Sequence, residues 1–142
     1  KNTDLLLYMA ARSENIDIIK KSFKKKIILI DRFTDSTIAY QHYGMGVNLN
    51  LIEILNKTLL KNIKVSFTFL NIVNQKNLQK RLKQRKSLNR YDKFEMSFYN
   101  KVQMGFIKLS KKQKNKYQVI NSNLEIEKNE KLILSIINKL IK

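Results

Sequence analysis

The stretch Ile28-Leu-Ile-Asp-Arg-Phe-Thr-Asp-Ser-Thr-Ile-Ala-Tyr-Gln41 decides how this chain is read. Together with Ile27 it opens as four apolar residues, which end abruptly in an acid and an arginine. A short apolar run bounded by charge predicts a buried strand of a parallel sheet over 27–31. Residues just past such a strand lie in the crevice where open α/β sheets bind ligands. That geometry places Asp31 and Arg32 at a phosphate and metal position.

Working outward, the chain has 142 residues, no cysteine and a formal net charge of +18. This length suits one domain, 1–142, that buries roughly 70% of its unfolded surface. Without cysteine there is neither a disulfide framework nor a thiolate metal site. No apolar run approaches the 18 or so residues of a membrane span, and the first residues are polar. The expectation is a soluble, cytoplasmic domain with no membrane partner.

The charge invites a nucleic-acid reading. However, the 29 basic residues are 24 lysines and 5 arginines, and the lysines are scattered along the chain. Scattered lysine is most simply a solvated surface, so nucleic acid is not the expected partner. The same bias makes the arginines informative. Arg12, Arg32, Arg81, Arg85 and Arg90 keep the planar fork that matches phosphate and carboxylate with two parallel bonds. Most of them are expected to touch phosphate or base.

The first helix is predicted from about Asp4 to Lys24, with Leu5, Met9, Ile16, Ile19 and Phe23 on one face. Arg12 projects from that stripe with Tyr8 one turn earlier beside it. A second helix over about 51–60 has Asn50 as a cap, Glu53 three residues on, and Leu51, Leu55 and Leu59 as its packing face. Residues 63–72 predict a second strand and Tyr117–Asn121 a third. Helices are expected from Leu78, from about Phe94 to Leu109 and from about Lys128 to Ile141. His42, the only histidine, has no second histidine or cysteine with which to share a metal.

The triplet Asp31-Arg32-Phe33, followed by Ser36, Thr37, Ala39, Tyr40 and Gln41, closely resembles the thymidylate kinase family. There a strand ends in Asp-Arg-aromatic and a Ser-Thr-x-x-Ala-Tyr-Gln loop follows. The spacing of Arg81, Arg85, Asn89, Arg90 and Asp92 is similar to the family's lid, here about 81–95, which closes over ATP. Phe98, Val102, Gly105 and Phe106 resemble a further family motif, and Val119-Ile120-Asn121 the strand near the adenine edge.

The resemblance implies an α/β, three-layer P-loop nucleotide-kinase fold, a parallel sheet flanked by helices, without its first strands. It implies transfer of the γ-phosphoryl group of ATP to dTMP, with Mg²⁺ as cofactor. Arg32 would hold the dTMP phosphate, and Asp31 would order the metal or its waters. Tyr8 would stack on thymine, Arg12, Ser36, Thr37 and Gln41 would bond or orient the base, and Tyr40 would pack against the deoxyribose. Arg81, Arg85 and Arg90 would be the lid's cations, with Arg32, Arg85 and Arg90 acting on the transferred group. The family commonly dimerises through helices, so a homodimer fits the resemblance.

The 142 residues contain no G-x-x-x-x-G-K-S/T and no Arg-Glu-Pro-Gly-Gly. These residues alone are therefore expected to show no ATP-dependent activity. Three accounts are in order: part of a longer kinase, a partial product that cannot hold ATP, and a degenerate kinase-like basic module that binds nucleotide or nucleic acid. Without the missing strand, the sheet must leave a gap or pair its strands differently.

Overall fold

The computed structural model describes residues 1–87, 91 and 94–141. The chain forms two compact units, Lys1–Val65 with Ser97–Leu109, and Ser66–Met96 with Ser110–Lys142.

The first unit is helical. Helix α1 (Asn2–Ser22) buries Leu5, Met9, Arg12 and Ile16, which recur at helical spacing on one face. A short helix α2 (Thr34–Thr37) runs into a π-helical segment (Ile38–Gly44), and α3 (Leu49–Leu60) follows. Leu5, Met9, Val47 and Ile52 form the core, and Ile38, Met45, Leu55 and Leu59 pack against them. Full burial of one such side chain contributes about 2 kcal/mol. The cap of α3 is Asn48, not Asn50, because Asn48 Oδ1 accepts from the Leu51 N–H at 3.3 Å. Leu55 and Leu59 of the predicted leucine stripe pack against the core as expected. Ile52 and Asn56 are buried, whereas Leu51 is 40% exposed.

Residues 27–31 form no strand. A strand is held by ladder bonds to a neighbour, and no described strand pairs with these residues. Leu29 is 81% exposed and Ile27 68%. The expected buried strand is thus an open connection between α1 and α2.

The second unit carries the sheet. Strands β1 (Thr68–Ile72) and β2 (Tyr117–Asn121) pair in parallel, in a register that sets Leu70 opposite Val119. Both are rich in the β-branched and aromatic residues that suit a pleated surface. Strand β2 coincides with the predicted third strand; β1 is only the second half of the predicted one, since 63–67 form no strand. Parallel strands need a long crossover, and α4 (Gln75–Lys83) lies within this one. Asn74 caps α4 by accepting from the Asn77 N–H at 2.8 Å. Helix α6 (Ile126–Leu140) follows β2. Helix α5 (Met96–Lys112) gives Ser97–Leu109 to the first unit, where Phe98 and Val102 are buried as expected.

Candidate functional site

The site of the first unit is built around the loop Asp31-Arg32-Phe33. Arg32 has a backbone φ of 62°. A side chain other than glycine is strained there, and such residues cluster at functional sites. Its guanidinium carbon lies 5.2 Å from the centre of the Tyr40 ring, within cation–π range. Both Asp31 and Arg32 are exposed.

Tyr40 is on the π-helical segment, a rare form that is frequent at functional sites. Its ring meets Phe98 and Phe106 edge-on, with centroids 6.0 and 6.3 Å away. Gly44 and Gly105 permit this approach of α5. A Cβ on Gly44 would lie 2.6 Å from the Phe98 ring, and one on Gly105 would lie 2.5 Å from the Tyr43 ring. His42 does structural work: its Nδ1–H donates to the Val47 carbonyl at 2.8 Å.

Arg12 is the centre of the buried polar network. Its Nη1 donates to Asn56 Oδ1 at 2.9 Å and faces Met9 Sδ at 3.6 Å. Its Nη2 donates to Thr37 Oγ1 at 2.7 Å and to the Phe33 carbonyl at 3.0 Å. The guanidinium also lies 5.3 Å from the Phe33 ring centre. Burial pushes its pKa down, and the Asp35 carboxylate partly offsets that by favouring the charged form. One side chain on α1 therefore ties α3 to the loop that carries Arg32. Thr37 and Gln41 are buried, Gln41 to 1% exposure. Ser36 and Tyr40 are half-buried, while Tyr8 is 43% exposed.

Sequence reasoning missed Asn56. Its only signal was a polar residue on the inward side of an otherwise apolar helix, and its partner lies 44 positions away. Arginine in place of lysine at position 12 also has a reason not foreseen. The fork reaches three oxygen acceptors on two different segments, which one ammonium does less well.

The second unit holds the other predicted arginines that the structure describes. Arg81, in the last turn of α4, donates from Nη2 to the Ser122 carbonyl at 2.6 Å. Arg85 lies two residues beyond α4 and is exposed. Arg90, Asn89 and Asp92 lie outside the described residues. Just past the carboxyl ends of β1 and β2, asparagines lock together. Asn123 Oδ1 accepts from the Asn74 N–H at 3.1 Å and from Asn77 Nδ2 at 2.9 Å. Asn123 Nδ2 donates to Asn121 Oδ1 at 2.7 Å. The loop after β2 is thereby fixed to the start of α4, in the crevice position of an α/β sheet.

No group of three or more His, Cys, Asp or Glu side chains capable of holding a metal occurs among the described residues. Among them, no helix is long and apolar enough to cross a membrane.

Comparison with known proteins identifies the kinship. The family model described as thymidylate kinase matches residues 1–133. The thymidylate kinase of Wolbachia sp. subsp. Brugia malayi is 34% identical over 139 residues, covering 96% of this chain and 65% of that protein. The thymidylate kinase of Ehrlichia chaffeensis is 37% identical over 126 residues, covering 87% of this chain and 59% of that protein. The crystal structure of thymidylate kinase from Ehrlichia chaffeensis superposes with a TM-score of 0.74 at 31% identity, covering 96% of this chain and 64% of that one. The chain thus spans less than two thirds of the length of these relatives. Its α/β architecture with a parallel sheet is that of their P-loop nucleotide-kinase fold, here in part. The chain belongs to the thymidylate kinase family.

Proposed function

We propose that these residues form the dTMP-binding part of a thymidylate kinase, which transfers the γ-phosphoryl group of ATP to dTMP. The observation that carries this reading is the strained Arg32, held beside Tyr40 on a loop that Arg12 anchors from behind. The family membership supports dTMP as the ligand of that geometry.

In the reaction, an oxygen of the dTMP phosphate forms a bond to the γ-phosphorus of ATP as the bond to the β–γ bridging oxygen breaks, giving dTDP and ADP. Catalysis of this kind is mainly positioning and cationic stabilisation. Arg32 grips the acceptor phosphate with two parallel bonds. Tyr8 stacks on thymine, and Ser36 bonds the base edge. Arg12, Thr37 and Gln41 orient the base from the buried side. Tyr40 packs against the deoxyribose, where a 2′-hydroxyl would be crowded. On the donor side, Arg81, Arg85 and Arg90 supply positive charge to the transferred group, Arg81 by leaving the Ser122 carbonyl when ATP binds.

A single exposed carboxylate, Asp31, suits Mg²⁺, which usually keeps several waters and takes one or two carboxylates together with substrate phosphates. Bound there with ATP, the ion would neutralise phosphate charge, and Asp31 would hold it directly or through its waters. The phosphate-cradling loop is not among the 142 residues. By themselves they are expected to bind dTMP without turning it over.

Calorimetric titration of the 142-residue chain tests the reading. Binding of dTMP in preference to dUMP and to a random oligonucleotide, retained at about 0.2 M salt, is the expected result. Affinity that ignores the base and collapses with salt would refute it. Arg32→Lys should weaken dTMP binding about tenfold or more, because a point charge does not replace a fork.

A further inference from the structure

Asn56 is an amide set into an apolar helix face. It lies among Ile52, Leu55 and Leu59 on the inward side of α3 and is buried to 8% exposure. An amide in such a place costs free energy unless it is bonded. Its Oδ1 is aimed at Arg12 Nη1, 2.9 Å away.

The geometry of the guanidinium gives that bond a wider reach. The two terminal nitrogens carry four N–H groups in one rigid plane. Asn56 Oδ1 and Met9 Sδ face Nη1, while the Phe33 carbonyl and the Thr37 hydroxyl accept from Nη2. Because the group is planar, whatever fixes Nη1 also fixes where Nη2 points. Nη2 in turn holds residues 33 and 37, on either side of the turn that follows Arg32. Asn56 and Arg32 never need to meet for one to depend on the other.

We infer that Asn56 is a positioning residue of the acceptor site. Through Arg12 it sets the plane of the guanidinium, and so the place of the Phe33 carbonyl and the Thr37 hydroxyl in the segment that follows Arg32. The inference rests on the dTMP reading only for its ligand. It adds α3 to the elements that determine how the monophosphate is held.

Two substitutions separate this role from mere packing. Asn56→Leu keeps the branched shape and removes the acceptor. Asn56→Asp keeps the acceptor and adds a charge that a buried guanidinium can meet. A residue that only fills space would tolerate leucine and reject aspartate; a positioning acceptor gives the opposite order. The expected result is dTMP affinity weakened about tenfold or more in Asn56→Leu and held within about threefold in Asn56→Asp. Leucine binding dTMP as well as aspartate, or better, overturns the inference. If Asn56→Leu does not fold, Asn56→Ala takes its place with the same expectation.

A second readout needs no ligand. Backbone hydrogen exchange over residues 33–37 should quicken about tenfold in Asn56→Leu and stay near the unaltered rate in Asn56→Asp. Equal rates in the two variants overturn the inference. Failure of the unaltered chain to bind dTMP, with the exchange rates still divided in this way, counts against the dTMP reading alone.

Discussion

Arg12 and Arg81 are both arginines in a chain built mainly with lysine, and the two units use them in opposite ways. In the first unit Arg12 is buried, and its fork is divided among Asn56, Thr37 and the Phe33 carbonyl. In the second unit Arg81 is exposed, and among the described residues its side chain donates one hydrogen bond, to the Ser122 carbonyl. A buried donor to several neutral acceptors cannot leave without orphaning them. An exposed donor to one carbonyl can, because water replaces it. The same residue type is therefore a structural tie in one unit and a releasable contact in the other. Composition alone suggested that most arginines would meet phosphate or base; the fork also serves bonds within the protein.

The sharpest way to break this contrast is to remove each arginine in turn. Arg12→Leu should lower stability by about 3 kcal/mol, since it strands buried acceptors; chemical denaturation gives the value. A loss below about 1 kcal/mol would show that the network carries little energy. Gly105→Ala comes next, at about 2 kcal/mol. The added methyl would lie 2.5, 2.7 and 2.9 Å from Tyr43 Cδ2, Cγ and Cβ, so the residue itself must shift. Overpacking of this kind typically costs about 1–3 kcal/mol, more than alanine's helix preference returns. Arg81→Leu should cost less than about 1 kcal/mol, as a single exposed bond does. If it matched Arg12→Leu under the same denaturant, the distinction between tie and releasable contact would fall.

Local chemistry made some of the molecule legible from sequence. Tyr117–Asn121 forms the strand expected of it, because five residues rich in β-branched and aromatic side chains have little else to do. Helix α1 begins and ends within two residues of its prediction, the usual scatter of helix ends. Residues 27–31 show the limit. Their pattern describes a strand, but a strand exists only with a neighbour, and sequence pattern does not supply one. The cap expected at Asn50 is Asn48 instead, because it is the Asn48 side chain that reaches the Leu51 N–H. Asn56 was invisible for a related reason. Its meaning lies in Arg12, and nothing within α3 announces that partner.

In the loop itself, Asp31-Arg32-Phe33 pointed to a site by residue type, while the Arg32 φ of 62° and the anchoring by Arg12 are properties of the fold. The asparagine lock of the second unit was equally unforeseen. Its members, Asn74, Asn77, Asn121 and Asn123, stand at the end of a strand, at the start of a helix and in the loop after the strand, and only the fold brings them together.

The open run at Ile27, Leu29 and Ile30 has a colloidal consequence. Lys24, Lys25 and Lys26 stand directly before it, as charged gatekeepers commonly flank sticky segments. Each copy of the chain carries +18, so approaching copies repel. That repulsion reaches only about 10 Å at 0.1 M salt and shortens as salt rises. Ionic strength therefore governs how long a concentrated solution of this polypeptide stays clear, with the lysines acting as its dispersant.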